Sequence, residues 1–141
     1  MRTALDSNIL SALWSDEPTA RSIAIRLREA REQGSLVLSP PAFVELFGHP
    51  KMNENEILSS LETLQVSIDF QLRDAVWFEA GRRYARYSDR RRKSSGQSPR
   101  RLMADFLVGA HALLEADSLM TLDLRRYALD FAELSLLTIE G

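Results

Sequence analysis

Apolar and polar positions along the chain switch between short hydrophobic runs and a three-to-four spacing, the signatures of strands and helices in turn. Arg2 to Leu5 predicts a short strand, ended by Asp6-Ser7-Asn8, where small polar side chains favour a turn or a cap. Ser7 or Asn8 is placed to cap a brief helix through Leu13. Pro18 opens a longer helix with Ile23, Leu27 and Ala30 on one face, closed by Gly34. Ser35 to Ser39 reads as a buried strand. Pro40-Pro41 then starts a helix carrying Phe43, Val44, Glu45, Leu46 and Phe47, which Gly48 and Pro50 end. A helix from Asn53 to Leu64 and a strand from Val66 to Ile68 follow. From Phe70 to Arg92 the pattern is one long helix whose later turns become basic. Ser94-Ser95-Gly96-Gln97-Ser98-Pro99 is the clearest loop, with Ser98 and Pro99 suited to cap and open a helix running to Ala116. Ser118 to Thr121 is a strand, Leu124 to Phe131 a short helix, and Leu134 to Ile139 the last strand.

Strands alternating with helices predict an α/β fold, a three-layer sandwich with a central parallel sheet of four to five strands between helices. No repeat or long linker divides the 141 residues, so residues 1–141 are expected to form one domain. In such a sheet, functional groups gather at the carboxyl ends of strands, near the point where strand order reverses. Any candidate site should therefore lie just after strands.

Composition narrows the chemistry. With 45% hydrophobic and 27% charged residues the chain reads as an ordinary soluble domain. No apolar run approaches a membrane span, and the first residues hold no secretion signal. Cysteine is absent, which excludes disulfides, thiolate metal sites and cysteine nucleophiles, and suits a cytoplasmic location. The net charge of −2 conceals an asymmetry: Arg82, Arg83, Arg86, Arg90, Arg91, Arg92, Lys93, Arg100 and Arg101 stand against Asp89 alone. This basic stretch on an otherwise acidic chain points to a polyanion partner, the alternative being a solvated helix end and loop.

The acids carry the candidate chemistry. Asp6 follows the first strand, Asp123 follows the fourth, and Glu45 sits in the helix after the second. Asp105 is the one fully charged residue in the apolar run from Leu102 to Leu114, and Gly109 one turn later leaves room for close backbone approach. A buried carboxylate loses several kcal/mol in desolvation unless cations or donors compensate. Two readings stand for Asp105: a ligand of a shared metal ion, or a residue near the helix start that is solvated or paired with Arg101 at i−4. Carboxylates at strand ends suit a hard divalent cation, which could activate a water and stabilise charge on a phosphodiester. His49 and His111 stand too far apart for a zinc site of ordinary spacing. His49 is expected in a loop, His111 packed, and Trp77 in the core by its helical spacing, with Tyr84 and Tyr87 available to stack on bases.

The segments LDSNIL (5–10), PAFVELF (41–47), ADFLVGAHAL (104–113) and LMTLD (119–123), in this order and spacing, resemble the PIN-domain ribonucleases, in particular those of the VapC toxin kind. The resemblance spans nearly the whole chain. It implies Asp6, Glu45, Asp105 and Asp123 as metal-binding acids, with supporting polar roles for Asn8 and Thr121. It also implies cleavage of RNA with Mg²⁺ or Mn²⁺, a homodimer, and control by a small antitoxin protein. A haloacid-dehalogenase-like phosphatase would want a second Asp where this chain has Asn8. The stronger alternative is a non-catalytic RNA-binding module of the same architecture.

Overall fold

Five parallel strands lie in the order β3-β2-β1-β4-β5 in the computed structural model, which describes residues 1–94 and 101–139. The strands are β1 (Arg2–Leu5), β2 (Ser35–Leu38), β3 (Val66–Ile68), β4 (Ser118–Met120) and β5 (Leu136–Leu137). The chain steps outward from β1 to β3, then returns across the sheet to β4. Strand order therefore reverses between β1 and β4. These two strands pair in register, Leu5 beside Met120, so the residues that follow them emerge together.

The helices among the described residues are α1 (Ser7–Leu13), α2 (Ala20–Gln33), α3 (Pro40–Leu46), α4 (Glu54–Thr63), α5 (Asp74–Lys93), α6 (Met103–Glu115) and α7 (Leu124–Ala128). Helix α6 packs on β1 and β4, with α5 against it, while α2 lies on β2 and α4 on β3. Ile23, Leu27 and Ala30 of α2 are buried as the spacing predicts. Helix α4 has a full capping box: Asn53 accepts from the Glu56 N–H at 2.8 Å, and Glu56 accepts from the Asn53 N–H at 3.0 Å. No helix among the described residues is long and apolar enough to cross a membrane.

Several boundaries differ from the sequence expectation. The cap of α1 is Asp6, not Ser7 or Asn8. Helix α5 starts at Asp74 rather than Phe70, because the Asp69 N–H bonds the Leu38 carbonyl (2.9 Å) and prolongs the β2–β3 ladder. Asp74 then places an acid in the first turn, where the helix dipole favours it. Helix α6 starts at Met103, not at Pro99. The Leu102 N–H is taken up by Asp105 Oδ2 (3.3 Å), which fixes the first turn there. Residues 95–99 of the expected loop, and Arg100, lie outside the described residues. At Gly109 the close neighbour is a side chain rather than backbone: a Cβ there would lie 2.5 Å from Phe131 Cε2.

Trp77 is not a core residue. The buried face of α5 is Val76, Ala80, Arg83 and Tyr87, at a spacing of three to four, and Trp77 is turned one position outward with 55% of its surface exposed.

Candidate active site

Asp6 leaves the end of β1 at the reversal point and is 1% exposed. Its backbone N–H continues the ladder to the Met120 carbonyl (2.9 Å), which holds it beside the end of β4. Two hydroxyls donate to the same carboxylate oxygen, Oδ2: Thr121 Oγ1 at 2.8 Å and Tyr127 Oη at 2.9 Å. The second oxygen, Oδ1, remains for another partner.

Thr121 is the centre of this arrangement. While donating to Asp6, its Oγ1 accepts from Asn8 Nδ2 (3.3 Å) and from the Asp123 N–H (3.1 Å). Asn8 Oδ1 in turn accepts from the Leu122 N–H (3.2 Å). Asn8 and Thr121 thus tie the turn after β4 to the start of α1, and so fix Asp123 relative to Asp6. Asp123 caps α7, its Oδ1 accepting from the Arg126 N–H at 3.2 Å.

Glu45 and Asp105 face the same region from α3 and α6. Ser7 Oγ donates to Glu45 Oε1 at 3.4 Å. Glu45 keeps access to solvent on one side, yet partial desolvation, with the charges of Asp6 and Asp105 close by, holds its carboxyl above the usual range. Burial raises Asp105 above the usual range too, and the Asp6 charge adds to this. Arg126, the Leu102 N–H and Arg101 oppose the rise without cancelling it. Asp6, Glu45 and Asp105 therefore belong to one electrostatic neighbourhood, which Asp123 joins through Arg126. The i−4 partner expected for Asp105 is not its contact: Arg126 is, with Nη1 3.8 Å from Oδ1.

The same guanidinium approaches Asp123, with Nε 3.5 Å from Oδ2. Arg126 thus stands between two of the acids. In this conformation no three His, Asp or Glu side chains among the described residues converge tightly enough to hold one ion. The donor chemistry nevertheless suits a hard divalent cation, since each of the four groups offers carboxylate oxygens.

The raised pKa of Asp105 fixes the sign of a pH effect. A folded state that holds a proton more tightly than the unfolded one loses stability as pH rises from the ordinary Asp value, about 3.9, through the raised folded value. At neutral pH, without metal, Asp105→Asn should therefore be the more stable protein, by about 1 kcal/mol, with the advantage gone near pH 4. Thermal melts across pH check this. A less stable Asp105→Asn at pH 7 would make Asp105 an ordinary paired aspartate.

Tyr127 and Arg126 were not singled out from the sequence. A tyrosine four residues before Phe131 reads as packing alone, and only the structure shows its hydroxyl on Asp6. Its burial, and then the Asp6 charge, push the phenol well above its ordinary range, so it acts as a donor. The histidines do not contact Asp6, Glu45, Asp105 or Asp123 among the described residues. His111 is buried and bonds Asp69 Oδ2 at 2.8 Å, while His49 contacts Ser15 Oγ at 2.8 Å.

The basic stretch divides. Arg83 is 6% exposed, and Glu79, Glu133 and the Asp130 carbonyl take up its guanidinium, which removes it from any phosphate-binding face. Arg90 is engaged with the buried Asp130 carboxylate at 2.8 Å. Arg91 donates to Tyr87 Oη (3.3 Å). Arg82, Arg86, Arg92 and Lys93 are exposed. Arg92 and Lys93 share Asp89, at 3.6 and 3.0 Å. Arg101 links this end of α5 to the acids: it donates to the Arg125 carbonyl (3.1 Å) and its charge is felt at Asp105.

Three solved structures share this architecture across nearly their whole length. VapBC-1 from nontypeable Haemophilus influenzae is 21% identical, with 98% of each chain covered and a TM-score of 0.68. VapBC2 from Rickettsia felis, bound to a DNA fragment from its promoter, is 19% identical, with 99% and 100% covered and a TM-score of 0.73. FitAcB from Neisseria gonorrhoeae is 17% identical, with 96% of each chain covered and a TM-score of 0.57. No curated protein sequence matches the chain. Residues 3–132 match the PIN domain, and with the parallel sheet and the acids at its reversal point, the chain belongs to the PIN domain family.

Proposed function

We propose that this protein is a metal-dependent endoribonuclease that hydrolyses RNA phosphodiester bonds, and that it is the toxin of a toxin–antitoxin pair. PIN domains are generally nucleases. The observation that carries the reading for this chain is Asp6, buried at the reversal point, held by two hydroxyls, and coupled to Glu45 and Asp105. We assign Asp6, Glu45, Asp105 and Asp123 to Mg²⁺ or Mn²⁺, with Asn8 and Thr121 in support. A bound divalent ion would supply Lewis-acid charge and a more acidic water. The chain's own part is to orient the carboxylates through Thr121 and Asn8 and to keep Asp6 fixed through Tyr127.

Water as nucleophile predicts cut ends without a 2′,3′-cyclic phosphate. Mapping the ends left on a mixed RNA pool tests this, and cyclic ends would instead mean attack by the RNA's own 2′-hydroxyl. The spread of the acids around Arg126 is the one observation that favours a non-catalytic RNA-binding module. Absence of cut ends under Mg²⁺ or Mn²⁺ would decide for that reading.

RNA reaches the acids past the exposed cations of α5. Neutralised phosphates release counterions, so affinity should fall with salt. Replacing Arg92 and Lys93 by alanine should reduce the slope of log affinity against log salt by about one to two. An unchanged slope in a binding titration would assign this end of α5 to a protein partner.

A protein partner has a surface of its own. Phe70 is 70% exposed, and Trp77 lines two adjoining apolar hollows, one shared with Phe70, Pro41 and Val44, the other with Tyr84 and Met103. A continuous apolar band of this kind marks a protein-binding surface. We assign it to the antitoxin or to a second copy of the chain, in the cytoplasm, by extension from the two-component VapBC and FitAcB assemblies.

A further inference from the structure

Two arginines in this molecule meet carboxylates in opposite ways. Arg83 is locked: both terminal nitrogens reach Glu133 at 2.6 and 2.9 Å, and its side chain is almost wholly buried. Arg126 is loosely held. Its contacts to Asp105 and Asp123, at 3.8 and 3.5 Å, are well beyond the 2.7–2.9 Å of a strong charge-assisted hydrogen bond. A third of its side chain is open to solvent, which gives it a path out. Among the described residues it is the cation that touches two of the four acids.

We propose that Arg126 is a resident counter-cation of the acid cluster, displaced from Asp105 and Asp123 when a divalent ion binds, and that it thereby sets the metal affinity of the site. The inference rests on the metal-binding reading above. Asp6, Glu45 and Asp105 repel one another, and a guanidinium between Asp105 and Asp123 relieves this while no metal is present. A divalent ion held by these carboxylates would compete with Arg126 for Asp105 and Asp123 and would repel it. Release costs little structure. The cap of α7 is made by the backbone N–H of Arg126 on Asp123 Oδ1, so the side chain can leave while the helix start remains. The guanidinium fork can span two acids; a lysine ammonium at this position could address only one.

The experiment is Mn²⁺ binding, read from the spin-resonance signal of the free aqueous ion, together with melts in EDTA. R126Q should bind Mn²⁺ roughly tenfold more tightly than the parent, the scale of losing one unit charge a few ångströms away at a protein surface. It should also melt lower in EDTA. R126K should bind more tightly than the parent by a smaller factor, and decides the matter if R126Q does not fold. R125Q removes the same charge from the neighbouring exposed residue of α7 and should bind as the parent does. Parent affinity in R126Q or R126K, weaker binding in either, or an equal gain in R125Q would each overturn the proposal while leaving the metal site standing. No Mn²⁺ binding by the parent would overturn the metal reading, and this inference with it.

Discussion

Asp6→Asn should reduce RNA cleavage about 10²- to 10³-fold while leaving the fold in place. Both halves of this result follow from one carboxylate. Oδ2 accepts from Thr121 and Tyr127, and an Asn side-chain oxygen can accept the same two hydroxyls. The scaffold is therefore retained. What disappears is the negative charge at the reversal point, and with it a strong claim on a cation. Asp6→Ala is the contrasting variant: it leaves two buried hydroxyls without their acceptor and should cost about 1–3 kcal/mol of stability as well as activity. A folded Asp6→Asn that cuts RNA at the parent's rate would remove Asp6 from the chemistry.

Arg83→Met should lower stability by about 2–3 kcal/mol, a fall in Tm of roughly 5–10 °C for a chain of this length, with RNA binding unchanged. The guanidinium donates to Glu79 (2.8 Å), Glu133 and the Asp130 carbonyl (2.8 Å), and lies 4.9 Å over the Phe131 ring. It therefore fastens α5 to the segment that leads from α7 into β5. Methionine keeps the packing volume, leaves the Asp130 carbonyl without this donor, and leaves the Glu79 carboxylate with the looser Arg82 contact at 3.6 Å. The loss falls below the 3–5 kcal/mol of a fully buried pair, because Glu133 is open to water and rehydrates. Arg83 holds the Glu133 carboxyl down to about 2. A depressed carboxyl lends stability above its unfolded value, about 4.3, and loses it as pH falls through the folded one. The gap between parent and variant should thus narrow between about pH 4 and pH 2. Reduced RNA binding with an unchanged melt would return Arg83 to the phosphate-binding face.

What the sequence conveyed and what it withheld divide along physical lines. Strand positions and the buried face of α2 were legible, since each depends on neighbours within a few residues. The starts of α5 and α6 were not. Asp69 pairs with Leu38, and Asp105 turns back onto Leu102, and these contacts compete with local helix propensity. Arg83 and Trp77 were misplaced for a related reason. The charge run reads Arg83 as a surface cation and helical spacing reads Trp77 as core, whereas the phase of α5 turns Arg83 inward and Trp77 outward. Among the acids, positions after strands could be recognised from pattern and family resemblance alone. Tyr127 on Asp6 and Arg126 between Asp105 and Asp123 depend on how α7 folds back over the end of β1. No local pattern encodes that.

The central claim is that the carboxylate cluster at the reversal point is a metal-dependent nuclease site. Its most direct test is a titration of Mg²⁺ or Mn²⁺ into metal-stripped protein, with RNA cleavage followed in single turnover, for the parent and for folded Asp105→Asn. The account predicts no cleavage in EDTA, saturable recovery in the parent, and little recovery in Asp105→Asn at any metal concentration. Cleavage that persists in EDTA, or a folded Asp105→Asn with the parent's metal curve, would contradict it.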